Sequence, residues 1–137
     1  RREARVLRLI EQIQEYCGNI TSPQPLDQED AHPGVAIAAL MKLSFDEEHR
    51  HAMCQLGAVQ AIAALIQIDN EIHGSDSNNS SCVTVRRYAG MALTNLTFGD
   101  CNNKALLCSM RGFLAALVAQ LQSPSEDLRQ VTASVLR

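Results

Sequence analysis

The chain has 137 residues and a formal net charge of −3, with 12 lysines and arginines against 15 acidic residues. This length fits a single domain, and the small charge excludes a nucleic acid or a membrane surface as a partner held by bulk electrostatic attraction. No segment approaches about 18 uninterrupted apolar residues, and the charged start lacks a signal-peptide core, so we expect no membrane insertion.

The first predicted element is an amphipathic helix over residues 1–17. The pair Gly18-Asn19 can end this helix, which either caps a stack of repeats or binds a partner. We favour the cap, because terminal repeats are usually atypical. Residues 18–34 contain three prolines, several acids and few large apolar residues, which is typical of a linker. The apolar stripe of the helix consists of Val6, Leu9, Ile10, Ile13 and Tyr16.

Two helices are predicted next. Residues 35–45 form the first, since Pro33 stands where a first helical residue is favoured. Glu47 and Glu48 then open a short helix that runs to Leu56, because acidic side chains complement the positive end of a helix.

The middle of the chain predicts two longer helices separated by a polar loop. Gly57 breaks the short helix, and residues 58–68 form an amphipathic helix. Residues 69–82 are mostly small and polar and form a loop insertion. Residues 83–98 form a second long helix, which Gly99 can end.

The long helix over residues 83–98 has two further copies in the sequence. Without the polar loop, the repeat period is about 43 residues, within the range of armadillo and related helical repeats. The abundance of small and aliphatic residues, with only 4% aromatic residues, favours closely packed helices. We therefore predict an all-α, right-handed α-solenoid with three helices per repeat. The repeated positions are Leu40, Leu43 and Phe45 against Leu93, Leu96 and Phe98, and Val85, Tyr88 and Leu93 against Leu128, Val131 and Leu136.

The repeat pattern divides the chain into partial and whole units. Residues 35–45 are the end of a first repeat, and residues 46–98 are a second repeat that carries the loop 69–82. Residues 99–137 are a third repeat, which we expect to be cut short at its C-terminal end. Such an array exposes an apolar stack end, so we also expect some self-association.

Several motifs carry a family resemblance. Asn102-Asn103-Lys104 before a short helix, then Gly112 and Ser123-Pro124, resemble the armadillo consensus. Residues 40–53 and 86–100 are similar to the armadillo region of the adenomatous polyposis coli tumour suppressors. The linker 18–34 and the loop residues 72–82 differ from the founding member and favour the second paralogue.

The resemblance implies a non-catalytic scaffold of Wnt signalling and of cytoskeletal, microtubule-linked regulation in the cytoplasm. In that family the armadillo groove binds extended peptides of Rho guanine-nucleotide exchange factors, a kinesin-associated protein and membrane-recruitment proteins. Segments that bind β-catenin and axin lie outside the armadillo region. Two alternatives stay open: a general armadillo adaptor for transport or the nucleus, and a structural segment whose groove is inactive without further repeats.

The residues themselves also indicate a peptide-binding groove. Third helices of stacked three-helix units line a concave surface, where Asn95 can pair with both N–H and C=O of an extended peptide. Met91 and Phe98 lie one turn to either side and can contact alternate side chains of that peptide. The preceding copy has Lys42 in place of the asparagine, with Phe45 one turn on. The structural alternative for Asn95 is a cap on the helix end.

The family resemblance adds two cations to the predicted groove. Lys104 and Arg137 resemble family positions that contact acidic peptide groups, and with Lys42 they predict a basic strip on an acidic protein. Structural roles compete here too, because Met91 and Phe98 at helical spacing are typical of a core, and surface cations are usually a solvated face.

Catalytic, cofactor and metal sites are not expected. Five cysteines, an odd number without paired ligand spacing, indicate reduced intracellular thiols. Cys101 or Cys108 with a histidine is the one nucleophilic candidate, and the histidines fall in other repeats or in loops. A metal site on the short helix is not expected, because its two imidazoles are two residues apart and point about 200° apart on a helix. Its ligands would be Glu47, His49, His51 and Cys54.

Overall fold

The computed structural model describes residues 1–20, 32–98 and 100–137, and within these ranges the regular secondary structure is entirely helical. This confirms the predicted all-α class. In the described ranges no single helix is long and apolar enough to span a membrane, while α3 and α4 together, bent by 76°, meet the length and composition requirement. The helices are α1 (Arg2–Ile20), α2 (Gly34–Leu43), α3 (Glu47–Gln55), α4 (Ala58–His73), α5 (Ser80–Thr97), α6 (Cys101–Ser109), α7 (Arg111–Gln120) and α8 (Glu126–Leu136).

The helices stack as the repeated sequence predicts. The three copies of the long helix are neighbours, since α5 packs against both α2 and α8. A second set forms beside them, in which α4 packs against both α1 and α7. The short helices connect the two sets, with α3 contacting α1, α4 and α5, and α6 contacting α4, α5 and α7. This succession is consistent with an α-solenoid, whose core grows by stacking.

Close approach of two copies depends on a glycine. A Cβ atom added at Gly90 of α5 would lie 3.0 Å from Cγ2 of Val131 on α8. Gly90 is itself buried, so the two helices approach nearly to backbone contact at this point. The small residue therefore sets the spacing between the second and third copies of the long helix.

The first helix is longer than predicted and is part of the core. It continues to Ile20, so Gly18 and Asn19 are helical and do not end it. Tertiary packing overrides the weak helix preference of glycine here, because α1 contacts α2, α3 and α4. Of the predicted linker 18–34, residues 21–31 lie outside the described ranges. The side chains that α1 buries are Val6, Ile10, Ile13 and Cys17.

Burial of Cys17 predicts a pH-dependent stability. Burial raises the pKa of the Cys17 thiol to about 11 from the ordinary value of 9.0. Because the folded-state pKa lies above the unfolded-state value, the stabilisation is fully present below pH 9.0 and is lost as the pH rises towards about 11. In urea titrations by circular dichroism, the midpoint of Cys17→Ala should therefore fall less across this window than that of the parent. The exposed Cys108→Ala is the control, and equal pH slopes in the two variants would contradict the prediction.

The fourth helix is also longer than predicted, which shortens the polar loop. It runs through His73 and ends at Gly74, whose φ of +84° suits a glycine. The loop between α4 and α5 is thus residues 74–79 and not 69–82. Two polar residues that sequence composition assigns to the loop, Asp69 and Asn70, are buried in the last turns of α4. Asp69 accepts a hydrogen bond from Arg86, and Nδ2 of Asn70 donates one to Gln120, so buried partners hold both residues in the helix. Oδ1 of Asn70 has no hydrogen-bond partner among the described residues.

Several predicted helix ends are confirmed. The short helix α3 begins at Glu47 with Leu56 as its C-cap, and Gly57 follows with a φ of +89°. Asp46 caps α3 by accepting a hydrogen bond from the backbone N–H of His49 at 3.0 Å, and this bond lowers the pKa of its carboxyl. The side chain of Ser125 caps α8 in the same way. Gly99, predicted to end α5, lies outside the described residues.

Candidate peptide-binding surface

Five predicted groove residues lie near the neighbouring C-terminal ends of α2 and α5. We call this surface the α2–α5 face, and it comprises Lys42, Phe45, Met91, Asn95 and Phe98. The face follows from repetition, because α2 and α5 are copies that pack side by side, so equivalent residues fall at the same end of both helices.

Asn95 joins the two helices of the face. Its Nδ2 donates a hydrogen bond to Oγ of Ser44, the C-cap of α2, at 2.9 Å. The side-chain amide of Asn95 is therefore not free of intramolecular bonds. Nor does it cap the end of α5, the structural alternative. Among the described residues, none donates to Oδ1 of Asn95, and its side chain is half-buried. The amide is therefore held in one orientation and keeps an acceptor and one N–H for a partner.

Two phenylalanines of the face are exposed. Phe45 follows the C-cap of α2 and is 62% exposed, and Phe98 is the C-cap of α5 and is 87% exposed. These fractions contradict the core role that helical spacing left open for Phe98. Met91 differs, because it is half-buried and packs against the core. The face thus offers two large, exposed apolar side chains and a fixed amide.

A cleft of about 660 Å³ adjoins the face between α1, α3 and the end of α5. Asn95 and Phe98 line it, whereas Phe45, Met91 and Lys42 do not. Its charges are mixed, and the carboxylates outnumber the guanidinium groups. The predicted basic strip therefore does not extend into this cleft. The charged lining residues are Glu3, Glu47, Glu48 and Asp100 with Arg2 and Arg50, of which Arg2 and Glu48 form an ion pair.

The three predicted cations are exposed but not contiguous. Lys42, Lys104 and Arg137 form no ion pair with any residue in the described ranges. Lys104 and Arg137 share a second cavity of about 130 Å³ with apolar walls that include Phe113 and Leu117. Lys42 lies on α2, in the α2–α5 face. The structure therefore brings Asn95 together with Phe98, and Lys104 together with Arg137, in two separate depressions.

Three residues that hold the face together, Ser44, Arg50 and Asn103, were not predicted from the sequence. Ser44 Oγ donates to the carbonyl of Met41 at 2.5 Å while accepting from Asn95, and Arg50 donates to the carbonyl of Ser44 at 3.0 Å. Nδ2 of Asn103 donates to the carbonyl of Leu96 at 2.9 Å and so ties α6 to the end of α5. One signal was available, because a hydroxyl recurs at the equivalent position of the next copy.

That recurring hydroxyl is Thr97, which is buried and donates to the carbonyl of Leu93 at 2.8 Å. Ser44 and Thr97 occupy corresponding positions in the first two copies of the long helix. Both hydroxyls donate to a backbone carbonyl in the last turns of their own helix. The hydroxyl position is thus structural, whereas the phenyl position next to it is exposed in both copies.

Comparison with known proteins supports the resemblance found in the motifs. A family model described as the adenomatous polyposis coli (APC) repeat matches residues 18–53. The adenomatous polyposis coli protein of Rattus norvegicus is 58% identical to the chain over 151 residues, and that of Homo sapiens is 56% identical over 150 residues. Adenomatous polyposis coli protein 2 of Homo sapiens is 46% identical over 154 residues. These alignments cover 100% of this chain.

The chain spans only 5% or 6% of the length of these three relatives. The identity to protein 2 is lower than to the other two, so the comparisons give no support to the second paralogue that the sequence analysis favoured. The segment that matches the family model includes α2 and most of α3, and hence Lys42 and Phe45 of the α2–α5 face.

Proposed function

Because the chain belongs to the adenomatous polyposis coli family, we propose that it is a non-catalytic protein-interaction region whose α2–α5 face binds an extended segment of a partner protein. The observation that carries this proposal is the pairing of a fixed, half-satisfied amide at Asn95 with the exposed rings of Phe45 and Phe98. An extended peptide offers alternating backbone polar groups and side chains, which such a surface can match.

The proposed architecture is an armadillo array. One unit comprises α3, α4 and α5, and the next comprises α6, α7 and α8. The first helix lies against α2 and α4, just as α4 lies against α5 and α7. By this analogy α1 is the middle helix of a first unit that also contains α2. It also caps the stack. In this division α2, α5 and α8 are third helices, and their shared surface is the peptide groove.

Asn95 would anchor the backbone of the bound segment. Its Oδ1 would accept a peptide N–H, and the second hydrogen on Nδ2 would donate to a peptide carbonyl. The existing bond to Ser44 fixes the amide plane before binding, so less side-chain entropy is lost when the peptide docks. Phe45 and Phe98 would pack against side chains of the peptide on either side of this anchor.

The partner we propose carries acidic and apolar residues in an extended segment. Lys42, Lys104 and Arg137 are exposed cations, which suit carboxylates of such a segment, with Arg137 able to form a bidentate contact. By family resemblance, candidate sources are Rho guanine-nucleotide exchange factors, a kinesin-associated protein and membrane-recruitment proteins. β-Catenin and axin would bind segments outside this chain. The corresponding cellular role would be a cytoplasmic scaffold of Wnt signalling and cytoskeletal regulation.

Fluorescence polarisation with a labelled acidic, extended peptide from an exchange-factor partner tests the proposal. We expect Asn95→Ala to weaken binding by about 1–3 kcal/mol, because peptide polar groups lose their partner on binding. Asn78→Ala is the matched control, since it removes an exposed amide in the loop before α5, about 25 Å along that helix from Asn95. Thermal unfolding of each variant reports whether loss of the bond to Ser44 has changed the fold.

Phe98→Ala separates binding from folding more sharply. The ring is 87% exposed, so its removal should leave the unfolding temperature unchanged while weakening peptide binding. Ile72→Ala, which shortens an exposed apolar side chain on α4, should change neither property. If Asn95→Ala and Phe98→Ala both bind as the parent does while remaining folded, the α2–α5 face is not the peptide site.

A further inference from the structure

Three metal-binding types of side chain meet where α4 ends and α5 begins. Asp69 and His73 are one helical turn apart on α4, so they share a face of that helix. The loop 74–79 reverses the chain and brings Cys82, in the first turn of α5, against them. One carboxylate oxygen, one imidazole nitrogen and the sulfur lie within 4.8 Å of one another.

The carboxylate of Asp69 is oriented so that one of its oxygens can bind a cation. Its Oδ2 accepts a hydrogen bond from Nε of Arg86 at 2.6 Å, while Oδ1 lies 4.0 Å from Nε2 of His73. One oxygen is thus committed to the guanidinium and the other faces the imidazole. Asp69 and Cys82 are each 5% exposed, whereas the side chain of His73 is 44% exposed, so a cation can enter from the histidine side.

We propose that Asp69, His73 and Cys82 bind a single Zn²⁺ ion, with water in the remaining position. Thiolate, imidazole and carboxylate together are the ligands that zinc prefers, whereas magnesium and calcium prefer oxygen alone. Ligand atoms around a tetrahedral zinc lie about 3.3–3.8 Å apart, given bonds of about 2.0–2.3 Å. Rotation of the exposed His73 side chain and small shifts of the other two close the present separation.

Binding follows ordinary coordination chemistry. The thiol of Cys82 loses its proton to solvent as the zinc–sulfur bond forms, and the imidazole binds in its neutral form. The ion then carries one thiolate and one carboxylate, which balance its charge. The guanidinium of Arg86 remains beside Oδ2 and opposes the ion, so this open site binds more weakly than closed sites with four protein ligands.

The ion would link the end of α4 to the start of α5 across the loop 74–79. Carbonyl groups of Gly74 and Ser75 already accept hydrogen bonds from Arg86, at 2.9 and 3.3 Å, so this junction is ordered before the ion binds. The site lies at the opposite end of α5 from Asn95. It is therefore independent of the peptide-binding proposal, and either can fail without the other.

Titration of the reduced chain with Co²⁺, the spectroscopic substitute for zinc, tests the site. One equivalent should give a thiolate-to-cobalt charge-transfer band in the near ultraviolet and intense visible bands of a tetrahedral ion, and Zn²⁺ should displace both. Cys82→Ser should abolish the near-ultraviolet band, and His73→Ala should weaken all the bands at one equivalent. The matched controls Cys108→Ser and His51→Ala remove an exposed thiol and an exposed imidazole elsewhere and should keep the full spectrum.

A second measurement keeps the proposal testable if Cys82→Ser folds poorly. Because His73 is exposed, His73→Ala should fold as the parent does, and Zn²⁺ should raise the unfolding temperature of the parent and of His51→Ala more than that of His73→Ala. The proposal is overturned if the parent shows no thiolate band and no stabilisation by zinc. It is equally overturned if His73→Ala retains both at parental strength.

Discussion

Replacement of Arg86 by methionine is expected to lower the free energy of unfolding by about 3–5 kcal/mol, the usual cost of removing one partner from a buried ion pair. Arg86 has no exposed surface, and its Nε donates to Oδ2 of Asp69 at 2.6 Å. Its Nη2 donates to the carbonyls of Gly74 and Asp69 at 2.9 and 3.2 Å. The variant would remove these donors from a buried carboxylate and a buried carbonyl of Asp69 and from the part-buried carbonyls of Gly74 and Ser75.

Urea unfolding of metal-free protein, followed by circular dichroism, measures the loss. The matched control is Arg87→Met, because Arg87 is the next residue of α5, is half-buried, and forms no ion pair with any described residue. We expect the control to change stability by about 0.5 kcal/mol or less. The double variant Asp69→Leu with Arg86→Met should recover part of the loss, since no charge then stays buried. Equal losses in Arg86→Met and Arg87→Met would contradict the buried pair.

Replacement of Phe113 by alanine should lower the free energy of unfolding by about 3–5 kcal/mol. Phe113 lies in the first turn of α7, has no exposed surface, and belongs to the core cluster that α4 and α7 share. Its loss removes a large apolar contact and leaves a space that the neighbouring helices fill only in part. The space adjoins the cavity that Lys104 and Arg137 line, which limits collapse on one side.

Val118→Ala is the control for this second variant. Val118 lies on the same helix but is 59% exposed, so its truncation should cost well under 1 kcal/mol. Both variants are compared with the parent by urea unfolding, with the slope of the transition used to check that each unfolds in two states. If Phe113→Ala is no more destabilising than Val118→Ala, the packing of α7 against α4 is wrong.

The helices could be predicted because their apolar spacing is local and repeated. Matching Leu40 with Leu93 placed α2 beside α5, and the same register put Phe45 and Phe98 at equivalent ends of these helices. The position of Asn95 on the face followed from that register. Repetition thus predicted the stacking of the helices and the equivalence of these residues, but it did not decide between a core and a surface position for the two rings.

The missed features depend on partners that are distant in sequence. Composition placed Asp69 and Asn70 in a loop, but both lie in the last turns of a helix, where they form hydrogen bonds with Arg86 and Gln120 respectively. A polar residue indicates a loop only when its side chain faces water. Local sequence does not reveal whether a buried partner will form hydrogen bonds with it instead. The bond between Asn95 and its partner on α2 was missed for the same reason.

The charge of the surface was predicted least well. The three predicted cations are exposed as expected. However, Arg2 and Glu3 of α1 and carboxylates of α3 also line the cleft beside Asn95. Sequence spacing does not show that the first turn of α1 would lie against α3. Nor did it show that Lys104 and Arg137 would share a separate, apolar cavity.

The most direct test of peptide binding at the α2–α5 face is nuclear magnetic resonance of isotope-labelled chain titrated with the unlabelled acidic peptide. Shift changes should concentrate at the backbone of Phe45 and Phe98 and at the side-chain amide of Asn95, while the amides of the loop 74–79 stay unchanged. Saturable changes confined to the surfaces of α4 and α7, with the Asn95 amide unmoved, would contradict a peptide groove formed by α2 and α5.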